Sequence, residues 1–160
     1  MPSYTFIPCL DAYTDFSTLV DEVNTHGWGS YTPADYEELK SSYVQCHEDA
    51  LRLFNKRVQD GATAIEHGLY QDALQDYEAA LGMIEKDQYN LEKSVVSLYL
   101  SLAWESYQRG AYKQSETYLD GSKAYTADNR QLFQIYYIKA LLASANDNFS
   151  SAKLLAEKAL

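Results

Sequence analysis

The chain has 160 residues, enough for one domain whose core needs neither disulfide nor metal. Its formal net charge of −10 argues against nucleic acid, which demands clustered Lys and Arg, and disfavours an anionic membrane surface. No apolar stretch approaches membrane-spanning length, and the opening MPSYTFIPCLDAYTD has no basic region followed by an apolar run. A basic protein partner remains compatible with the charge. Fifteen tyrosines supply large apolar bodies with polar tips, which suit half-buried helix interfaces and binding surfaces.

Residues 1–32 read as an irregular arm followed by a short helix. Pro2 and Pro8 keep the start extended, and Phe6 and Ile7 offer anchors. Phe16, Leu19, Val20 and Val23 recur at helical spacing and predict a helix over 15–23. His26-Gly27-Trp28-Gly29 breaks it, with Trp28 expected to pin the loop to the core. Residues 33–160 read as one helical domain. Thr32 is a good N-cap and Pro33 fits the first helical position. Tyr36, Leu39, Tyr43, Cys46, Ala50, Phe54, Val58, Ala62 and Ile65 then step by threes and fours. One helix from Pro33 to about His67 would be roughly 50 Å long; a break within Gln45–Asp49 is the alternative. Further helices are predicted over 70–86, 91–108, 111–125, 130–145 and 149–160. Gly68, the polar run 87–90, Gly110 and the capping run 126–129 separate them.

The residues that carry chemistry are scattered. His26, His47 and His67 are far apart, and neighbouring Cys46 and His47 diverge by about 100° on a helix, a poor pair of metal ligands. Cys46 is expected to pack and His47 to be exposed. The adjacent carboxylates Glu37-Glu38 and Glu48-Asp49 diverge in the same way and read as surface charge. No phosphate-binding glycine loop and no Gly-x-Ser-x-Gly occurs. No catalytic residue, metal site or cofactor is expected. Two cysteines in a chain this large read as free thiols, which places the protein in the cytoplasm. The sequon Asn148-Phe149-Ser150 matters only in a secreted protein.

An internal repeat organises the second half. Gly68 is followed by Tyr70, Ala73, Tyr77 and Ala80; Gly110 by Tyr112, Ser115, Leu119 and Ser122; Asp147 by Phe149, Ala152, Ala156 and Ala159. Seven residues before each turn stands a small residue: Gly61, Ala103, Ala140. This pattern resembles the tetratricopeptide repeat family, in about two and a half to three divergent copies over residues 55–160. Ser115 and Ser122 stand where the family uses Ala, Asp147 replaces Gly, and Ala156 replaces an aromatic residue. The resemblance implies an all-α, right-handed solenoid of antiparallel helical hairpins, here preceded by a long helix. A generic antiparallel bundle with Gly-Tyr turns is the competing architecture.

In proteins of that family the first helix of each pair lines a concave groove that holds a partner. By register, the first copy would present Asn55, Val58 and Ala62; the second Ser97, Leu100, Trp104 and Gln108; the third Gln134, Tyr137 and Leu141. Family members that grip a C-terminal carboxylate use Lys, Asn and Arg there, whereas these positions are mostly apolar or aromatic. The resemblance therefore implies a non-enzymatic adaptor that binds a peptide or helix of a partner protein. The alternatives are a regulatory or sensor domain of a larger enzyme or transcription regulator, and a small chaperone for secreted proteins. The aromatic residues of the first thirty positions, Tyr4, Phe6, Tyr13, Phe16 and Trp28, make that segment a candidate occupant of the groove. Leu154 and Leu155, on a final helix with no polar-faced cap, predict self-association, a homodimer through that helix.

Overall fold

The computed structural model describes residues 5–160 and is all-helical, so the expectation of an all-α fold holds. After a single 3₁₀ turn at Ile7–Cys9 come α1 (Leu10–His26), α2 (Pro33–Glu66), α3 (Tyr70–Leu81), α4 (Leu91–Gln108), α5 (Tyr112–Ser122), α6 (Asn129–Ala145) and α7 (Phe149–Ala159). α2 is unbroken through Gln45–Asp49. Thr32 and Asp35 cap its start reciprocally. The Asp35 amide donates to Thr32 Oγ1 at 3.2 Å, and the Thr32 amide donates to Asp35 Oδ2 at 2.6 Å. The chain divides into two compact units, one comprising the chain up to Gln59 with Ala79–Lys86, the other Asp60–Glu78 with Asp87–Leu160. The division passes through α2 and α3.

In the first unit the expected arm is not irregular. α1 starts at Leu10, five residues before the predicted helix, and runs to His26. Phe6 is fully buried, its ring 5.3 Å from His47 and 5.7 Å from Phe54. The Ile7 amide donates to Met83 O at 2.9 Å, and Phe6 pairs with Ile84 in an isolated antiparallel bridge. That pairing takes Met83 and Ile84 out of the helix through a turn after Leu81, so α3 stops there and not near Lys86. Gly82, expected inside the helix, lies in the turn after it. Phe16 packs on Tyr36 and Tyr43. Trp28 is 43% exposed and lines a shallow depression with Val20, Val23 and Tyr36, so it does not pin its loop to the core. Tyr4 lies outside the described residues.

Cys9 and Cys46 form a disulfide, with Cα atoms 5.9 Å apart. The expectation of free thiols is therefore wrong. Only the folded proximity of the Ile7–Cys9 turn to α2 reveals the pair, because the two stand 37 positions apart in sequence. His47 is half-buried beside the Phe6 and Tyr43 rings, not exposed as expected.

In the second unit one turn occurs three times. Gly68 and Leu69 donate to Ile65 O and Ala64 O; Gly110 and Ala111 to Tyr107 O and Ser106 O; Asp147 and Asn148 to Ser144 O and Ala143 O. These paired bonds are the Schellman arrangement, which turns the chain through one left-handed residue. Its φ is 72° at Gly68, 77° at Gly110 and 57° at Asp147. The small residues flanking the turns set close helix contact. A Cβ on Gly61 would stand 2.9 Å from the Tyr77 ring, and one on Gly121 2.6 Å from the Tyr99 ring. The serines at alanine positions are buried but satisfied: Ser115 Oγ donates to Ala103 O and Ser122 Oγ to Leu119 O, both at 2.7 Å. Val96, Leu100, Ala103, Leu119, Ile138 and Leu142 form the core between α4, α5 and α6. Glu78 Oε1 accepts the hydroxyls of Tyr99 at 2.6 Å and Tyr125 at 2.9 Å. Burial first, and then this carboxylate, pushes the Tyr125 phenol up to about 12 and raises that of Tyr99 as well.

Candidate binding groove between α4 and α6

The α4 and α6 helices lie side by side as the first members of two hairpins, α4–α5 and α6–α7. On α4, Ser97, Leu100, Ser101 and Trp104 recur at three and four residues and share a face. On α6, Arg130, Gln131, Gln134, Tyr137 and Ile138 do the same. Together with Lys93, Asp128 and Phe133 they line a groove of about 640 Å³.

The start of α6 is fixed by a polar network at one end of this groove. Asp128 and Gln131 make a capping box: the Gln131 amide donates to Asp128 Oδ1 at 2.8 Å and the Asp128 amide to Gln131 Oε1 at 3.0 Å. Gln131 is buried and uses its remaining donors across the helix pair, on Lys93 O at 2.8 Å and Ser97 Oγ at 3.0 Å. Lys93 Nζ reaches Asp128 Oδ2 at 3.1 Å. The Gln131 amide first, then Lys93, holds the Asp128 carboxyl below its ordinary range. A buried amide with every bond made fixes α6 against α4 in one register.

Above this network the walls are aromatic and open. Trp104, Phe133 and Tyr137 are 37, 45 and 47% exposed. Phe133 stacks on Tyr137 at 6.2 Å, Tyr137 stands 6.4 Å from Trp104, and Trp104 stacks on Tyr107 at 5.6 Å. Tyr112 continues the row, 5.6 Å from Tyr107. Five rings thus form one ladder, three of them in the groove.

No family model, curated protein or solved structure matches the chain. The site rests on its own geometry.

Of the residues that register assigned to a groove, Ser97, Leu100, Trp104, Gln134 and Tyr137 come together in this lining. Leu100 is its buried floor. Gln108 is exposed and Leu141 half-buried, and neither belongs to the lining. Ala62 is exposed on the α2 portion of the second unit, and Asn55 and Val58 belong to the first unit. Sequence reading missed Lys93, Ser101, Asp128, Arg130, Gln131, Phe133 and Ile138. A usable signal existed for two of them: Asp128-x-x-Gln131 has capping-box spacing immediately before an apolar helix. Of the N-terminal residues expected as occupants of the groove, Phe6 and Phe16 are buried in the first unit.

Proposed function

We propose that this protein is a non-enzymatic binding module that holds a segment of another protein in the groove between α4 and α6. One observation carries this reading: three large rings, Trp104, Phe133 and Tyr137, stand a third to a half exposed along a walled groove whose floor is rigidly set. Clustered aromatic residues in a concave, polar-rimmed site are the usual anchors of protein recognition. The three Schellman turns, with small residues before and after them, support a tetratricopeptide-like solenoid of hairpins as the scaffold. In such a scaffold α4 and α6 are first helices, the ones that line the binding face. The Cys9–Cys46 disulfide favours an oxidising compartment over the cytoplasm. Leu154, exposed on α7, offers a separate contact for self-association, which light scattering across a concentration series tests.

The deciding experiment compares affinity capture by the intact chain with capture by Trp104→Ala and Tyr137→Ala. A partner retained by the wild type and lost from both variants, at unchanged melting temperature, supports the groove. A partner retained equally by all three places binding elsewhere. If Trp104→Ala lowers stability and leaves affinity unchanged, Trp104 is a packing residue and the assignment fails.

A further inference from the structure

We infer that Asn148 carries an N-linked glycan, attached through its Nδ2 at the turn between α6 and α7. The inference rests on the disulfide and on the geometry of this turn, and is independent of what the α4–α6 groove holds. The sequon Asn148-Phe149-Ser150 has meaning only in a protein that passes through a secretory compartment, and the Cys9–Cys46 bond favours such a compartment. Of the six asparagines, Asn148 alone has a Ser or Thr two positions on.

The turn presents the acceptor. Residues 144–150 are all exposed, and Asp147, at φ 57°, closes α6 and leaves Asn148 as the N-cap of α7. The two ends of the Asn148 amide are used differently. Oδ1 accepts the Ser151 amide at 3.2 Å, while Nδ2 has no partner among the described residues. An N-linked sugar replaces one hydrogen of Nδ2 and leaves Oδ1 an acceptor, so glycan and helix cap coexist on one residue. The Ser150 hydroxyl, the second element of the sequon, is also exposed and has no partner among the described residues. Phe149 between them is 65% exposed, the most exposed aromatic side chain among the described residues. Its counterpart in the second repeat, Tyr112, is 36% exposed and packs on Tyr107 at 5.6 Å. A polar sugar on the adjoining residue shields a ring that the fold itself leaves bare.

The reaction is a substitution at a sugar carbon, and the donor is an oligosaccharide linked to a lipid diphosphate. Asn148 Nδ2 forms a bond to the anomeric carbon of the donor's first N-acetylglucosamine. The bond from that carbon to the diphosphate oxygen breaks, and its electron pair leaves with the lipid diphosphate. One Nδ2 proton passes to a carboxylate of the transferase, and nothing is oxidised or reduced. None of residues 144–151 lines the α4–α6 groove, so a glycan here leaves that groove open.

The test is a gel and mass measurement on the full chain, taken from the cells that make it and, separately, secreted from cultured human cells behind a foreign cleavable leader. Peptide N-glycosidase should lower the mass of both samples and convert residue 148 from Asn to Asp. The shift should vanish in Ser150→Ala, which breaks the sequon and leaves the Asn148 cap intact. It should vanish too in Asn148→Asp, which keeps an acceptor for the Ser151 amide and lacks Nδ2. Ser150→Thr should keep it. Loss of the shift in Ser150→Ala at an unchanged melting temperature separates lost modification from misfolding. A secreted chain without the shift overturns the inference. A shift that survives in Ser150→Ala places the sugar elsewhere and overturns it as well. So does a glycan on the leader-driven chain with none on the chain from its own cells; if Cys9 and Cys46 there also react with a thiol reagent, the oxidising compartment falls with it, and the groove reading stands apart from both.

Discussion

The first unit is held by residues far apart in the chain, whereas the second adds to such contacts one local device used three times. Cys9 meets Cys46, and Phe6 meets Phe54 and Ile84. By contrast, each Schellman turn closes within six residues, and each hairpin is set by small side chains within about a dozen positions of its turn. Local devices leave a period in the sequence. Distant ones leave none. The same contrast separates the kinds of substitution that should hurt each unit most.

The largest expected effect is at Phe6. It is fully buried among rings of the first unit, and no neighbour in sequence compensates for its loss. Phe6→Ala should cost about 3–5 kcal/mol in urea unfolding, with hydrogen exchange rising more in α1 than in α6. Equal rises in both helices would break the contrast. Removing the disulfide comes next. A closed loop of 37 residues is worth about 2–4 kcal/mol in the chain-entropy account. Cys9→Ser with Cys46→Ser should lower the urea midpoint accordingly, and reductant should have no effect on that double variant. A wild type indifferent to reductant would show that the cysteines are not joined.

This contrast also explains what could be read from residues alone. The boundaries of α4 and the left-handed glycines 68 and 110 were legible, because apolar period and turn residue agree there. So was the approach of α2 to α3 through Gly61 and Tyr77. The end of α3 was not, because it adjoins the pairing of Phe6 and Ile7 with residues 83–84. Five of the twelve lining residues were reachable by register. The polar network at the start of α6 was not, since Gln131 looks like a surface residue until its side-chain amide is seen to join Lys93 O to Ser97.

Within the second unit the three turns can be set against each other. Gly110 has φ 77° and open space where a Cβ would stand, so strain on substitution there is purely backbone. Gly110→Val should cost about 2 kcal/mol, because a β-branched residue resists the left-handed region. Asp147 holds the same conformation at φ 57° without being glycine. Asp147→Gly should therefore gain up to about 1 kcal/mol, read as a raised midpoint. If both changes move stability in the same direction, the three turns are not equivalent and the repeat is one of sequence only.

The smallest effect concerns a device that both units share, a capping box with an aspartate in it. Asp35 at the start of α2 is held below its ordinary value of 3.8 by the Thr32 amide first and the Thr32 hydroxyl second. Asp128 at the start of α6 is held below it by the Gln131 amide first and Lys93 next. A carboxyl with a depressed folded value binds its proton less readily in the folded chain than in the unfolded one. Its contribution is therefore present above pH 3.8 and lost as pH falls through the lower folded value. Both groups are solvated, so the contribution is modest and weakens in salt. Asp128→Asn keeps an acceptor for the Gln131 amide and removes the attraction to Lys93. Its melting temperature should sit slightly below wild type at pH 7 and converge with it below pH 3. Asp128→Ala removes the cap itself and should stay below wild type at both pH values. In α2 the N-cap is Thr32 and Asp35 is the third helical residue, so Asp35→Ala removes only the acceptor of the Thr32 amide, leaves the Thr32 hydroxyl on the amide of residue 35, and should cost less than Asp128→Ala. A constant gap between Asp128→Asn and wild type from pH 7 to pH 2 would mean that charge is not what Asp128 contributes, and that its cap works through geometry alone.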